Sequence, residues 1–218
     1  MRVAVCARRT ERLKELTADL DATGETVLAV GCDLRSETEI LAVFEAVRER
    51  WGGVDILVNN AGLGRDAPLR GGETAAWREM LEVNVLALCI CTREGLADME
   101  RRGGGHVVHI SSMAGHRVPP GGGVYSATKY AVRSLTEGLR KELRAVGSPI
   151  RVTAVSPGVV GTEFRAVFTG ADLEQAPSLY DDAAMTAEDV AASVVHAVTA
   201  PPGVEIHDIL MRPTHQAV

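Results

Sequence analysis

The chain has 218 residues, a formal net charge of −6 and only 4% aromatic residues. That length suits one large domain, which hides roughly 70% of its unfolded surface. The negative balance, the scarce aromatics and Lys/Arg runs of no more than two exclude a nucleic-acid surface. No apolar run reaches the ~18 residues of a membrane span, and the opening "MRVAVCARR" has too short an apolar stretch for a signal peptide.

In chain order, "VAVCA" (Val3 to Ala7) reads as a buried strand. Thr10 is expected to cap a helix whose inner face is Leu13, Leu16 and Leu20, with Gly24 ending it. "TVLAVGCDL" is a second strand, closed by Asp33, and "SETE" (Ser36 to Glu39) is a capping box. The helix after it presents Ile40, Val43, Phe44 and Val47 on one face. "VDILVNN" is a third strand, and a long helix follows from Thr74 to about Arg101. A fourth strand covers Val107 to Ile110, and a helix runs from about Gly123 to Val146 with Gly147 as its C-cap. "IRVTAVSPG" is a fifth strand with a sharp exit. Gly161 to Met185 is the least periodic stretch and is expected to be a mobile substrate-binding flap. Thr186 caps another helix, and "VEIHDILM" is the last strand.

Continuously apolar strands alternating with helices mean a parallel sheet covered on both faces. The expected fold is a single α/β domain over residues 1–218, a doubly wound parallel sheet in three α/β/α layers. The four cysteines (Cys6, Cys32, Cys89, Cys91) form no C-x-x-C and are expected to be free, mostly buried thiols in a reducing cytoplasm. The six histidines are scattered, so no metal site is expected.

In a doubly wound sheet, ligands bind beyond the carboxyl ends of the strands. Tyr125 and Lys129 lie four residues apart on a predicted helix and so share a face. A free phenol has a pKa near ~10. A neighbouring ammonium would favour the phenolate and bring that value toward working pH, which suits a general acid/base. Ser112 ends the fourth strand, and the "PPGGG" loop between them is long enough to bring its hydroxyl and the phenol to one carbonyl oxygen. A Tyr-x-x-x-Lys pair also occurs by chance, with the ring packed and the Lys solvated.

Five segments then stand in order: "NNAG" (Asn59 to Gly62), "VNV" (Val83 to Val85), "HISSMAG" (His109 to Gly115), "YSATK" (Tyr125 to Lys129) and "SPGVVGT" (Ser156 to Thr162). In these the chain resembles the short-chain dehydrogenase/reductases, over essentially its whole length. The resemblance implies a Rossmann-type fold and hydride transfer between a nicotinamide cofactor and a ketone or secondary alcohol. Candidate substrates are a β-keto or β-hydroxy acid, a ketosteroid or a small carbonyl compound. It implies Tyr125 as general acid/base, Lys129 lowering its pKa and holding the nicotinamide ribose, Ser112 on the substrate oxygen, and Asn84 holding a proton-relay water. Asn60, Ala61, Gly62, Pro157, Gly158, Val160 and Thr162 would line the cofactor with Tyr125 and Lys129. Asp33 would accept from the adenine amino group and Leu34 would flank that ring.

The first strand is followed by Arg8 and Arg9, with no carboxylate until Glu11. Guanidinium matches a phosphate and an acidic residue would match a ribose hydroxyl, so NADP(H) is expected rather than NAD(H), with Arg8 as first contact. The family's pattern also begins with a strand and a T-G-x-x-x-G-x-G turn, which nothing here matches. By that comparison the fold is expected to be N-terminally truncated, with Met1 an internal methionine before the second strand of the order 3-2-1-4-5-6. Two readings stand: an oxidoreductase acting on a small molecule, and a non-catalytic subunit or remnant that has lost cofactor binding. A homodimer or homotetramer is expected through Val85, Leu88, Cys89, Leu135 and Leu139. Phe164, Phe168 and Tyr180 are possible pocket walls. His116, Arg117 and Arg165 could meet a carboxylate or simply be solvated.

Overall fold

Short apolar runs form the strands, and their depth sets the layers. The computed structural model describes residues 1–21, 23–179 and 184–216. β1 (Val3–Ala7) pairs in parallel with β2 (Val27–Gly31), in register from Val3↔Val27 to Ala7↔Gly31. A second parallel ladder runs β3 (Ile56–Asn59), β4 (His106–Ile110), β5 (Arg151–Pro157), β6 (Asp208–Met211). β5 is buried from Val152 to Pro157, as a strand covered on both faces must be. The last strand is shorter than expected, because 204–207 lie outside the ladder.

The helices follow the sequence pattern, with informative departures. α1 (Thr10–Leu20) buries Leu13, but Leu16 is 43% and Leu20 60% exposed. The expected inner face finds only a two-stranded ladder beneath it, too narrow to cover three turns. Arg9, not Thr10, is its N-cap, without a side-chain bond. α2 (Glu37–Trp51) buries Ile40, Phe44 and Val47. Its capping box is half closed: Ser36 Oγ accepts from the Glu39 N–H at 3.3 Å, while the Glu39 carboxylate accepts from the Asp33 N–H at 2.8 Å. α7 (Ala187–Val198) has the complete box, with Thr186 and Asp189 exchanging bonds.

The long helix is three pieces: α3 (Thr74–Leu81), a π-helical turn Glu82–Leu86, and α4 (Ala87–Arg102). α5 spans Gly123–Ala145. Where a flap was expected, α6 (Phe164–Thr169) and a 3-10 helix Leu173–Leu179 form. Tyr180 falls outside the described residues.

No described hydrogen bond joins β1 to β3. The break falls where the order 3-2-1-4-5-6 puts its first strand. Apolar residues flank the two open edges: Ala4 and Cys6 on β1, Ile56 (41% exposed) and Val58 (40%) on β3. The ladders are joined instead through a core of Cys32, Ile40, Phe44, Ala87 and Ile90, against which Leu34 and Leu57 pack from either side. A second core (Met99, Val107, Leu139, Leu143, Ile150, Val152) seats α4 and α5 on β4 and β5. Leu88 and Leu139 are therefore buried within the chain and do not supply interface surface, whereas Leu135 is 37% exposed. The thiols are free, but only Cys32 is buried; Cys6 is exposed, on the strand that borders the break. No helix among the described residues is long and apolar enough to cross a membrane.

One buried charge organises the α2–α4 contact. Asp98 is fully buried, accepts from Arg48 Nε at 2.8 Å and the Val54 N–H at 3.2 Å, and also binds Arg101. Removing one partner of a buried pair costs about 3–5 kcal/mol, since the other is left uncompensated. Asp98→Ala is expected to lower the unfolding free energy by about 3 kcal/mol in urea titration. A loss below about 0.5 kcal/mol, the range of ordinary surface changes, would show that the network carries no such weight.

Candidate active site

The site forms where β3, β4 and β5 end and the first two turns of α5 begin. Ser111 and Ser112 leave β4 in opposite directions. Ser111 is buried and donates to the Lys129 carbonyl at 3.2 Å, behind the site. Ser112 starts a 3-10 turn (Met113–Gly115), accepts from the Ala114 N–H at 3.1 Å, and lies within hydrogen-bonding reach of the Tyr125 hydroxyl. Of the two serines, Ser112 is thus the one that meets the phenol.

Lys129 is 4% exposed, and its Nζ donates to the Ile110 carbonyl at 2.9 Å. Nζ sits 5.9 Å from the centre of the Tyr125 ring. Burial without a carboxylate pushes the ammonium down to about 8. Tyr125 does not show the expected lowering. Desolvation pushes it up to about 12, opposed by the bond with Ser112. The cause is packing: Phe164 and Phe168 of α6 lie against the Tyr125 ring at centroid distances of 5.3 and 6.4 Å.

Gly62 brings the β3 loop close to the lysine. A Cβ there would stand 3.2 Å from Lys129 Nζ and 3.5 Å from Asn84 Oδ1. Asn84 lies in the π turn, which turns its amide inward. It is 1% exposed; Oδ1 accepts from the Leu63 N–H at 2.8 Å, and Nδ2 donates to the Leu63 carbonyl at 2.7 Å and to Thr128 Oγ1 at 3.0 Å. Thr128 in turn donates to the Tyr125 carbonyl at 2.7 Å. Asn84 thereby locks the loop after β3 to the helix that carries the tyrosine.

A second network lies beneath. Thr136 donates to the Val132 carbonyl, so it accepts from His109 Nδ1 at 2.8 Å. Nε2 must then be bare; it accepts from Thr92 at 3.1 Å, which accepts from Asn59 Nδ2 at 3.0 Å. His109 is a neutral strut between β3, β4, α4 and α5.

The remaining expected residues divide. Arg8 is exposed and near enough to Asp33 to help hold its carboxyl at about 2, though Arg35 does most of that. Arg35 Nε bonds both Asp33 oxygens at 3.0 Å, an engagement the sequence did not signal. Leu34 is partly buried against the α2–α4 core. Asn60 and Ala61 are exposed on the β3 loop, and the Asn60 N–H bonds the Val58 carbonyl. Pro157 ends β5, the Gly158 N–H bonds the Met211 carbonyl at 2.8 Å, and Val160 bridges Met185. Thr162 Oγ1 accepts from the Phe164 N–H at 3.3 Å, two residues on at the entry to α6. His116 bonds Ser156 Oγ at 3.1 Å.

Several site residues were missed by sequence reasoning. Thr128 and Thr136 repeat at helical spacing on the buried face of α5, a signal that was present. Arg65 was not: its guanidinium bonds Glu79 at 2.9 Å and the Val167 carbonyl at 3.1 Å, pinning α6 across 102 residues of chain. Gly64 makes room for that packing, since a Cβ there would come within 2.6 Å of Phe168.

Comparison with known proteins gives one answer. Residues 1–171 match the model of the short chain dehydrogenase family. The chain is 48% identical to dehydrogenase/reductase SDR family member 11 of Bos taurus, over 99% of this chain and 88% of that protein. It is 36% identical to the NADP-dependent 3-hydroxy acid dehydrogenase YdfG of Salmonella typhi, over 99% of this chain and 86% of that one. The closed form of a serine dehydrogenase complexed with NADP+ superposes with a TM-score of 0.91 at 35% identity, covering 100% of this chain and 87% of that chain.

His106 and His109 are both buried and pushed down to about 4. Their folded values lie below the unfolded one, so the neutral rings stabilise the fold fully above about pH 6.5, and that contribution is lost as pH falls toward about 4. Each adds a slope of up to about 1.4 kcal/mol per pH unit. Urea melts from pH 7 to 4 are expected to show stability falling across this window, and His109→Gln to flatten the slope. A profile unchanged from pH 6.5 to 4.5 would contradict the neutral strut.

Proposed function

The chain belongs to the short chain dehydrogenase family, and on that premise we propose that it is an NADP(H)-dependent oxidoreductase that interconverts a ketone and a secondary alcohol. The carrying observation is the convergence of Ser112, Tyr125, Lys129 and Asn84 at one strand edge, with the side-chain-free face of Gly62 opposite the lysine.

The residues present fit the cofactor. A Cβ at Gly62 would fill the space before Lys129 Nζ. An ammonium has three N–H donors, and Ile110 takes one of them here, leaving two for ribose hydroxyls. Arg8 stands exposed where a 2′-phosphate would be met. When bound, the nicotinamide supplies or takes the hydride.

The chain's own groups handle the proton and the substrate oxygen. Tyr125, held neutral by burial, would donate its proton to an oxygen gaining negative charge in reduction and take one back in oxidation. Ser112 shares that oxygen and stabilises its charge. Lys129, with a value near 8, holds its proton at neutral pH, and its ammonium would hold the ribose hydroxyls of the bound cofactor. Asn84 keeps the loop and α5 in register. Phe164 and Phe168 pack on the phenol ring and shield it from water, and they would give an apolar wall to the substrate. A ketosteroid, a small ketone or a β-keto acid would suit it. The open edge between β1 and β3 favours the second reading, a chain that keeps the site without binding cofactor.

Tyr125→Phe is expected to lower ketone or β-keto acid reduction about 10²–10⁴-fold while NADPH affinity, read by fluorescence titration, stays within a few-fold. Saturable NADPH binding with loss of turnover in the variant supports the oxidoreductase. Folded protein that binds no NADPH would establish the non-catalytic reading.

A further inference from the structure

The chain that leaves β3 does more than clear a space before Lys129. Past Gly62 it runs from Leu63 to Ala67 between α3 and α6. Leu63 and Ala67 are buried with Met80 of α3, and Tyr125 and Val167 pack against the same cluster. The Asn84 amide takes both the N–H and the carbonyl of Leu63, at 2.8 and 2.7 Å. At the other end, Trp77 Nε1 donates to the Ala67 carbonyl at 2.9 Å. The segment is thus fixed at both ends, to the π turn and to α3.

Its middle reaches α6. That helix has six residues, too few to hold itself together unaided. The last carbonyls of a helix have no donors within it. Here the segment supplies them: Arg65 NH1 donates to the Val167 carbonyl at 3.1 Å, and the Asp66 N–H to the Phe168 carbonyl at 3.0 Å. Arg65 is anchored in turn by Glu79 of α3, with Nε 2.9 Å from Oε2. The two side chains are 34% and 17% exposed, so this pair is less screened than a surface one. Gly64 lets the two backbones close up. A Cβ there would stand 2.6 Å from Phe168 and 3.0 Å from Phe164, the two rings that lie on Tyr125.

We propose that Leu63–Ala67 is a strap that holds α6 down on Tyr125, with Arg65 as its positioning residue, and that its hold decides how well the site takes a large apolar ketone in preference to a small one. Arg65 acts through the Val167 carbonyl, and the effect reaches the phenol through the Phe164 and Phe168 rings. The choice of ketone rests on the oxidoreductase reading; the hold on α6 rests on the bonds alone.

The test compares the full chain with Arg65→Gln, Arg65→Lys and Gly64→Ala. Amide hydrogen exchange is followed over residues 164–169, and KM and kcat are measured with NADPH for propiophenone and for acetone. Loss of a hydrogen bond from a charged donor should quicken exchange over 164–169 about tenfold or more in Arg65→Gln. The same loss should raise the KM for propiophenone about tenfold, with that for acetone and the NADPH affinity within about twofold. Arg65→Lys keeps the charge without the planar fork and should restore part of the protection. Gly64→Ala leaves Arg65 in place but presses on Phe168, and should reproduce both changes; it carries the test if Arg65→Gln does not fold. Exchange that does not respond, or a KM that rises equally for both ketones, would overturn the proposal. If the unaltered chain reduces neither ketone, the oxidoreductase reading falls and the phenol decides the strap, by NMR of 13Cζ-labelled tyrosine with Tyr125→Phe for assignment. Tyr125, pushed up to about 12 by burial, should stay protonated to about pH 11 in the unaltered chain and titrate earlier in Arg65→Gln, as water reaches it. Ser112 and Lys129, the groups that face it, are the same in both chains. Identical titration in the two chains would overturn the strap.

Discussion

An ammonium buried without a carboxylate is the constraint around which this structure is arranged. Lys129 has no carboxylate partner among the described residues, and its charge is held by the Ile110 carbonyl. Isolated buried charges are costly and shift toward neutrality. The neighbourhood limits that cost with oriented dipoles and small groups. Asn84 turns its amide inward from a π turn, Gly62 keeps a side chain out of the space before Nζ, and the tyrosine ring lies 5.9 Å away. A π turn is a local defect in a helix, and defects of this sort gather at functional sites. Here it does a definable job: it sends Asn84 to the loop after β3 and to Thr128 at once.

The same constraint explains why the layers beneath are polar in one line. Asn59, Thr92, His109 and Thr136 form a chain of donors and acceptors with a single consistent direction. A fully satisfied buried network fixes relative positions more sharply than apolar packing does. It ties the strand ends to α5 directly below Lys129. The break between β1 and β3 lies on the other side, and the ladders meet there through side chains around Cys32 and Phe44. Buried polar bonds are therefore concentrated at the candidate site, and apolar packing at the side facing α1. The ion pairs from Glu163 to Arg9 and Arg12 join these two regions.

Most of the fold was legible because the signals were local. Periodicity placed every strand and all but the flap's helices within a few residues, and Thr186 caps its helix as expected. The Tyr125–Lys129 spacing and the position of Ser112 at a strand end were enough to bring the central residues together. What sequence could not show was depth and long-range partnership. Leu16 and Leu20 look like core in the pattern, yet the ladder under them is two strands wide. Ser36 and Glu39 look like a reciprocal box, yet Glu39 is drawn to the Asp33 N–H. The sign of the Tyr125 shift depends on how closely Phe164 and Phe168 pack, and no spacing encodes that. Arg65 and Glu163 act across more than 100 residues, where helical or strand periodicity says nothing.

The central claim is that Lys129 is a buried, charge-bearing group tuned by desolvation. It is tested most directly by the titration of its own side chain, followed by NMR of 13C-labelled lysine Cε resonances from pH 6 to 11, with Lys129→Arg to assign the signal. The account predicts a Lys129 midpoint near 8. A Lys129 midpoint close to the ordinary ~10.4 would mean a solvated ammonium, and the arrangement described here would not be what the chain adopts in solution.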